Sequence, residues 1–308
     1  MSDDLTLAEL LEAQAYFGLP SPALVEKDFQ VVRALAVLAA LDTGPVRLVF
    51  GGGTALSRAH KLIRRMSEDI DFKIVAEGEI SRGTLRTLRA QVTDALRAAG
   101  FAFDPDNPEH RLSRNETRYT LYRLPYAPLS RGEGALRPEI KVELAAWPLR
   151  RPSEQRTVAS FVAEAFTRAP EVPGIACVAI AETAAEKFVA LTRRVAAAAR
   201  GGEAWDSTVI RHVYDLHMAR GAYDASEAAR LVRDIMPQDA AMFGNQFPDY
   251  RENPEAATRA ALSALLAEGE FAAQYEQFCD FMVYGDRVDY ATAMDTVAAL
   301  AAAVWREG

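Results

Sequence analysis

The chain has 308 residues, 50% of them hydrophobic and 25% charged, with a formal net charge of -8. This composition suits an ordinary globular protein of one large or two small domains, and the negative charge argues against wholesale coating of nucleic acid. No run nears the ~20 apolar residues of a membrane span, and two cysteines, Cys177 and Cys279, exclude a disulfide framework.

The first ten residues are acidic and amphipathic, without the basic end and apolar run of a secretory leader, so a reducing cytoplasm is expected. Charge is uneven along the chain. Residues 110–151 carry nine Lys/Arg against four Asp/Glu, and the acidic excess falls in the second half. A polyanionic partner would therefore meet the first half, although a solvated arginine-rich surface explains the same pattern.

In chain order, residues 5–17 read as an amphipathic helix ending near Gly18. Ser21-Pro22 is an N-cap with proline at the first helical position, opening a helix over 23–41. Residues 46–50 are β-rich. Gly51-Gly52-Gly53 makes a sharp turn, and a helix over 54–61 is expected to begin on it. Asp69 to Val75 alternates as a strand should, and 81–99 is a helix with Gly100 just beyond it. Strands follow at 117–124 and 138–145. Beyond Pro148–Pro152 the pattern turns to alanine-rich helices, at about 180–199, 207–220, 225–235, 257–267, 270–283 and 289–305. The expectation is an α/β (α+β) core with a mixed sheet over residues 1–150, then a mainly α-helical domain over 151–308.

The chemistry concentrates in Phe50-Gly51-Gly52-Gly53-Thr54-Ala55-Leu56-Ser57 and Ser67-Glu68-Asp69-Ile70-Asp71-Phe72. On a strand, residues i and i+2 share a face, so Asp69 and Asp71 project together while Ile70 and Phe72 enter the core. Paired carboxylates repel unless a cation sits between them, and Mg²⁺ (or Mn²⁺) is held by one or two carboxylates plus substrate phosphates. The glycine turn offers free N–H groups to phosphate, with hydroxyls from Thr54 and Ser57. The segment lacks the Gly-Lys-Ser/Thr ending of a Walker A loop and does not fit a Rossmann fingerprint. Metal-assisted phosphoryl displacement is the reaction class that follows.

These two segments resemble the signature of the AbiEii/AbiGii toxin family, nucleotidyltransferases of the DNA polymerase β-like superfamily with which the MenT toxins are grouped. Val25-Glu26-Lys27-Asp28-Phe29 is similar to the family's upstream helix motif. Ala185-Glu186-Lys187-Phe188-Val189-Ala190-Leu191 and Tyr214-Asp215-Leu216 are similar to two downstream motifs. The resemblance spans about residues 22–220. It implies a Mg²⁺- and NTP-dependent toxin that adds nucleotides to an RNA acceptor, the tRNA 3′ end, neutralised by a winged-helix antitoxin. Transfer to a protein hydroxyl or a small molecule, and a non-catalytic scaffold, remain as alternatives.

On this resemblance Asp69 and Asp71 hold the metals. Glu143, in Ile140-Lys141-Val142-Glu143-Leu144, is the candidate third carboxylate, as a ligand or as the acceptor of the attacking hydroxyl's proton. Gly52, Gly53, Thr54 and Ser57 bind the nucleotide. Lys187 neutralises phosphate charge, and Asp215 orients Lys187 or touches the nucleotide. Lys27 and Asp28 either brace the site or face solvent. Arg111, Arg114, Arg118, Arg123, Arg131 and Arg137 are candidates for an RNA backbone, and Tyr119 and Tyr122 for stacking or core packing. His60, His110, His212 and His217 show no metal spacing and are read as structural or surface residues. The gap between Gly53 and Asp69 and the stretch from Val195 to Ile210 are both long for the family, and Arg211-His212 stands where many relatives are acidic. These departures leave the metal site intact and bear on the choice of nucleotide and acceptor.

Overall fold

The computed structural model describes residues 5–130, 137–199, 207–244, 247–267 and 269–306. The chain forms two compact units. One comprises Met1–Lys61 with Met66–Val178, the other Leu62–Arg65 with Ala179–Gly308.

The first unit opens with helix α1 (Leu7–Phe17). Thr6 and Glu9 form a reciprocal capping box at its start, and Gly18 closes it in the left-handed conformation at φ 62°. Helix α2 (Pro22–Ala39) starts on Ser21, whose side chain accepts from the Ala23 N–H. Strand β1 (Arg47–Gly51) runs into a single α turn, α3 (Gly52–Thr54). The helix expected over 54–61 then continues as a π turn, Ala55–Ala59, and stops at His60. Strand β2 (Asp69–Val75), helix α4 (Arg82–Ala98) and strands β3 (Arg111–Arg114), β4 (Tyr119–Pro125) and β5 (Glu139–Ala145) follow.

The chain does not turn wholly helical after residue 150. Strand β6 (Glu154–Val158), the short helix α5 (Phe161–Ala165) and strand β7 (Val172–Cys177) complete the sheet. The first unit therefore reaches Val178 rather than residue 150. β7 carries Pro173 and Gly174, which depress β propensity, and β6 is almost entirely polar. Their pairing comes from the sheet. β7 lies parallel to β1, with Phe50 opposite Cys177, and β6 is antiparallel to β7.

The seven strands run in the order β3-β4-β5-β2-β1-β7-β6. β1 pairs antiparallel with β2, β2 parallel with β5, and β4 antiparallel with β5, so the sheet is mixed as expected. Ile70, Phe72 and Ile74 of β2 and Ile140, Val142 and Leu144 of β5 share one buried face. They pack in a single core with Val31, Leu35 and Leu38 of α2 and Leu85, Leu88, Val92 and Leu96 of α4. Burying each such side chain contributes roughly 1.5–3 kcal/mol. This covered face fixes which residues of β2 and β5 can point the other way, because a one-residue slip would drive their carboxylates into the core.

The second unit is helical: α6 (Ile180–Ala198), α7 (Arg211–Ala219) after a 3₁₀ turn Ser207–Ile210, α8 (Ala225–Phe243), α9 (Pro248–Glu252), α10 (Pro254–Leu266), α11 (Glu270–Met282) and α12 (Tyr290–Val304). α8 carries Pro237 inside it and outruns the expected 225–235. The segment Leu62–Arg65 belongs here. Arg65 bridges Val283, and the Tyr284 N–H donates to the Arg64 carbonyl at 3.0 Å. No helix among the described residues is long and apolar enough to cross a membrane.

Candidate active site

Strand register assembles the carboxylates. Asp71 lies opposite Gly51 of β1 on one side and Glu143 of β5 on the other, and Asp69 lies opposite Lys141. Cross-strand partners share a face, so Asp69, Asp71, Lys73, Lys141 and Glu143 all leave the sheet on the side away from the core. The Lys141 ammonium is 3.9 Å from the Asp69 carboxylate. Glu143 accepts a hydrogen bond from the Tyr119 hydroxyl at 3.1 Å. Burial, then the charges of Glu143 and Asp71, push the Tyr119 phenol well above its usual range, so it stays a proton donor to Glu143.

The glycine turn is fitted to Asp71. Gly52 has φ 70°, and a Cβ there would stand 1.8 Å from Asp71 Oδ2 and 2.7 Å from its Cγ. Gly52 is required on two separate grounds: a left-handed backbone and a carboxylate filling the space of a side chain. Gly53 is buried behind it. With one α turn before the π turn, there is little macrodipole to aid phosphate binding, and the local N–H groups are what the turn offers.

Thr54 ties the turn to β2. Thr54 is fully buried; its hydroxyl pairs with the Ser67 hydroxyl at 2.9 Å and donates to the Asp69 carbonyl, tying the turn to the start of β2. Ser57 is buried in the π turn.

The three consecutive charges of α2 are also buried, at 1% exposure for Glu26 and Lys27 and 4% for Asp28, so a solvated face is excluded. Glu26 accepts from the Leu129 N–H at 2.6 Å and the Ser130 hydroxyl at 2.8 Å. Lys27 pairs with Glu68 at 2.8 Å and donates to the carbonyls of Arg137 and Glu139. It thereby pins the residue before Asp69 to the start of β5. Asp28 accepts from the Phe161 N–H at 2.7 Å and pairs with Arg58 of the π turn at 3.1 Å, while Arg58 lies 4.1 Å from the Phe161 ring centroid. Burial pushes the Asp28 carboxyl up to about 6, with Arg58 opposing. Sequence reasoning did not foresee Arg58; its only signal was a lone cation in an otherwise apolar stretch.

Lys187 and Asp215 come together in the second unit, where the Lys187 ammonium sits 2.8 Å from the Asp215 carboxylate. Arg65 takes both oxygens of the same carboxylate, at 2.6 and 2.7 Å. All three are almost fully buried. Burial alone would raise the Asp215 carboxyl, but Arg65 and Lys187 outweigh it and hold Asp215 ionised, far below its usual value. Arg65 is a second residue missed in the sequence, hidden in Arg64-Arg65 beside the more conspicuous Asp69 and Asp71.

Among the described residues, no three His, Cys, Asp or Glu side chains are gathered to hold a metal ion. Asp69, Asp71 and Glu143 share a face without forming a three-carboxylate cage: strand spacing sets the two aspartates ~6–7 Å apart. The donors present are hard oxygens in adjacent pairs, which suits Mg²⁺, an ion commonly held by one or two carboxylates and completed by substrate phosphates and water.

The remaining candidates separate. Tyr122 is fully buried, and its hydroxyl donates to the Arg89 carbonyl at 3.1 Å, so it belongs to the core and not to a stacking surface. Arg123 donates to the Glu109 carbonyl and Arg111 to the Thr93 hydroxyl. Arg114, Arg118 and Arg137 are exposed, and Arg131 lies outside the described residues. His60, His110 and His217 are engaged in hydrogen bonds with the Val178 carbonyl, the Asp104 N–H and the Thr296 hydroxyl.

Residues 33–299 match the model of the family described as nucleotidyl transferase AbiEii toxin, type IV toxin–antitoxin system. Among solved structures, the chain is similar to MenT4, a nucleotidyltransferase toxin from Mycobacterium tuberculosis H37Rv, at 21% identity and a TM-score of 0.52, covering 97% of this chain and 99% of that one. At that identity the likeness concerns the fold. No curated protein matches the chain.

Proposed function

We propose, from the premise that this chain belongs to the AbiEii family of nucleotidyltransferase toxins, that it transfers a nucleoside monophosphate from an NTP to an RNA acceptor, the 3′ end of tRNA. The observation that carries the proposal is the register Gly51–Asp71–Glu143, with the Asp71 carboxylate seated against Gly52. That Gly51, Asp71 and Glu143 lie side by side supports a reading in which the turn binds phosphate, Asp71 holds the metal and Glu143 accepts a proton.

In this reaction an acceptor hydroxyl oxygen bonds to the α-phosphorus, the bond to pyrophosphate breaks, and the hydroxyl proton passes to a base. Asp69 and Asp71 would hold Mg²⁺, which when bound neutralises phosphate charge. Glu143, oriented by the Tyr119 hydroxyl, is the proton acceptor. The Gly52 and Gly53 backbone binds phosphate with the Ser57 hydroxyl, and Thr54 ties the turn to β2. To the Lys187 ammonium we assign charge neutralisation on the triphosphate, with Asp215 and Arg65 holding it in place. Such chemistry requires the cytoplasm, where NTP and tRNA meet. A winged-helix antitoxin is the proposed neutralising partner.

The test incubates the purified protein with Mg²⁺, each radiolabelled NTP in turn and total tRNA, beside Asp71→Ala. Label on tRNA with the unaltered protein alone is the expected result and identifies the nucleotide. Label on protein would replace the acceptor with a hydroxyl side chain. No label, together with no Mg²⁺–NTP binding, would leave a non-catalytic scaffold.

A further inference from the structure

A cleft of about 540 Å³ lies at the end of β2 remote from Asp69 and Asp71. The end of β2, the start of β1 and the segment after β5 line it. Its charged side chains are Arg47, Arg118, Arg150 and Arg151 against Glu79, and Trp147 forms part of the wall. Arg47 is the cross-strand partner of Val75, so it leaves the sheet on the same face as Asp69 and Asp71. Val75 lies four residue rises along β2 from Asp71, a distance of about 13 Å. Arg47, Arg118 and Arg151 are exposed, and the Arg150 guanidinium stands 5.9 Å from the Trp147 ring centroid.

Four cations against one acid is the reverse of the balance in a chain of net charge -8. Cations distributed around an indole match the alternation of phosphate and base in a single strand. Guanidinium groups meet phosphates, and aromatic and guanidinium planes stack on unpaired bases. A free nucleotide presents its phosphates at one point and would not call on cations spread along the cleft. Of the arginines singled out in the sequence, only Arg118 lines it; Arg47 comes from the start of β1, and the adjacent Arg150 and Arg151 from the segment after β5.

We infer that this cleft holds the single-stranded backbone of the RNA acceptor leading to its reacting hydroxyl, an inference that rests on the transferase function proposed above. Arg47→Glu combined with Arg151→Glu alters two exposed side chains outside the catalytic machinery. The probe is a short 5′-fluorescein-labelled single-stranded RNA, followed by fluorescence anisotropy across a salt series. The double variant is expected to bind it at least ~10-fold more weakly at low salt. The slope of log affinity on log salt should flatten by about 1.4 for two lost phosphate contacts. Mg²⁺–NTP affinity should be unchanged. An unaltered RNA affinity and slope would overturn the inference, and so would an equal loss of NTP affinity. RNA binding that depends on the two arginines without label transfer by the unaltered protein would count against the transferase and for the cleft. Label transfer indifferent to the double variant would do the opposite.

Discussion

At the scale of single residues, two positions combine charge or shape with burial so tightly that substitution has a calculable effect. Gly52→Ala forces a Cβ into the Asp71 carboxylate and a left-handed backbone on a residue that resists it, which by itself costs about 1–2 kcal/mol. Because Asp71 must move, nucleotidyl transfer should fall by at least ~100-fold while the far-ultraviolet circular dichroism is retained; wild-type turnover in the variant would refute the fit described here. Asp215→Ala leaves the Arg65 and Lys187 cations buried around a missing partner and should destabilise the protein by about 3–5 kcal/mol. Urea denaturation would measure it, and a loss under ~1 kcal/mol would show that the cluster is less buried than it stands. Neither effect was visible in the sequence. Gly52 stood out there as a turn residue, but the carboxylate that excludes a side chain approaches from a strand nineteen positions away, and nothing local marks Arg65 as the partner of a distant aspartate.

At the scale of elements, α2 behaves as a clamp. Its Glu26, Lys27 and Asp28 point in successive directions around the helix and each fastens a different segment: the loop after β4, the strand starts of β2 and β5, and the π turn with α5. Asp28 adds a pH signature. Burial pushes its carboxyl in the folded protein up to about 6 from the usual 3.8. The native state therefore binds that proton more tightly than the unfolded chain. The stability from this group is fully present only below the unfolded-chain value of 3.8 and is lost as the pH rises through about 6. Asp28→Asn removes the titration. The stability difference between wild type and variant should shift against the wild type by up to about 3 kcal/mol from pH 4 to pH 7. Parallel stability curves across that window would show that Asp28 stays ionised. The alternation of β2 and β5 and the caps of α1, α2 and α4 were legible because each depends on neighbours within a few positions. β3, β6 and β7 were not, because their residues are polar or carry Pro and Gly and become strands only when an existing sheet edge offers hydrogen bonds.

At the scale of the whole molecule, the sequence by itself determined the family and, with it, nucleotidyl transfer. Gly52-Gly53-Thr54 and Asp69-Ile70-Asp71 are local patterns, and a strand's period of two commits both aspartates to one face before any long-range contact forms. It also determined that a mixed sheet precedes a helical region. Tertiary structure alone decided that β6 and β7 extend the first unit to Val178, that Leu62–Arg65 belongs to the second, and that Glu143 meets Asp71 across a parallel pairing. It also decided that Thr54 and the α2 charges are buried, and that arginines from separate segments line one cleft. The physical reason is common to all of these. Periodicity and capping are fixed by the local backbone, whereas burial of a charge and the register of distant strands depend on which surfaces the rest of the chain leaves to be covered.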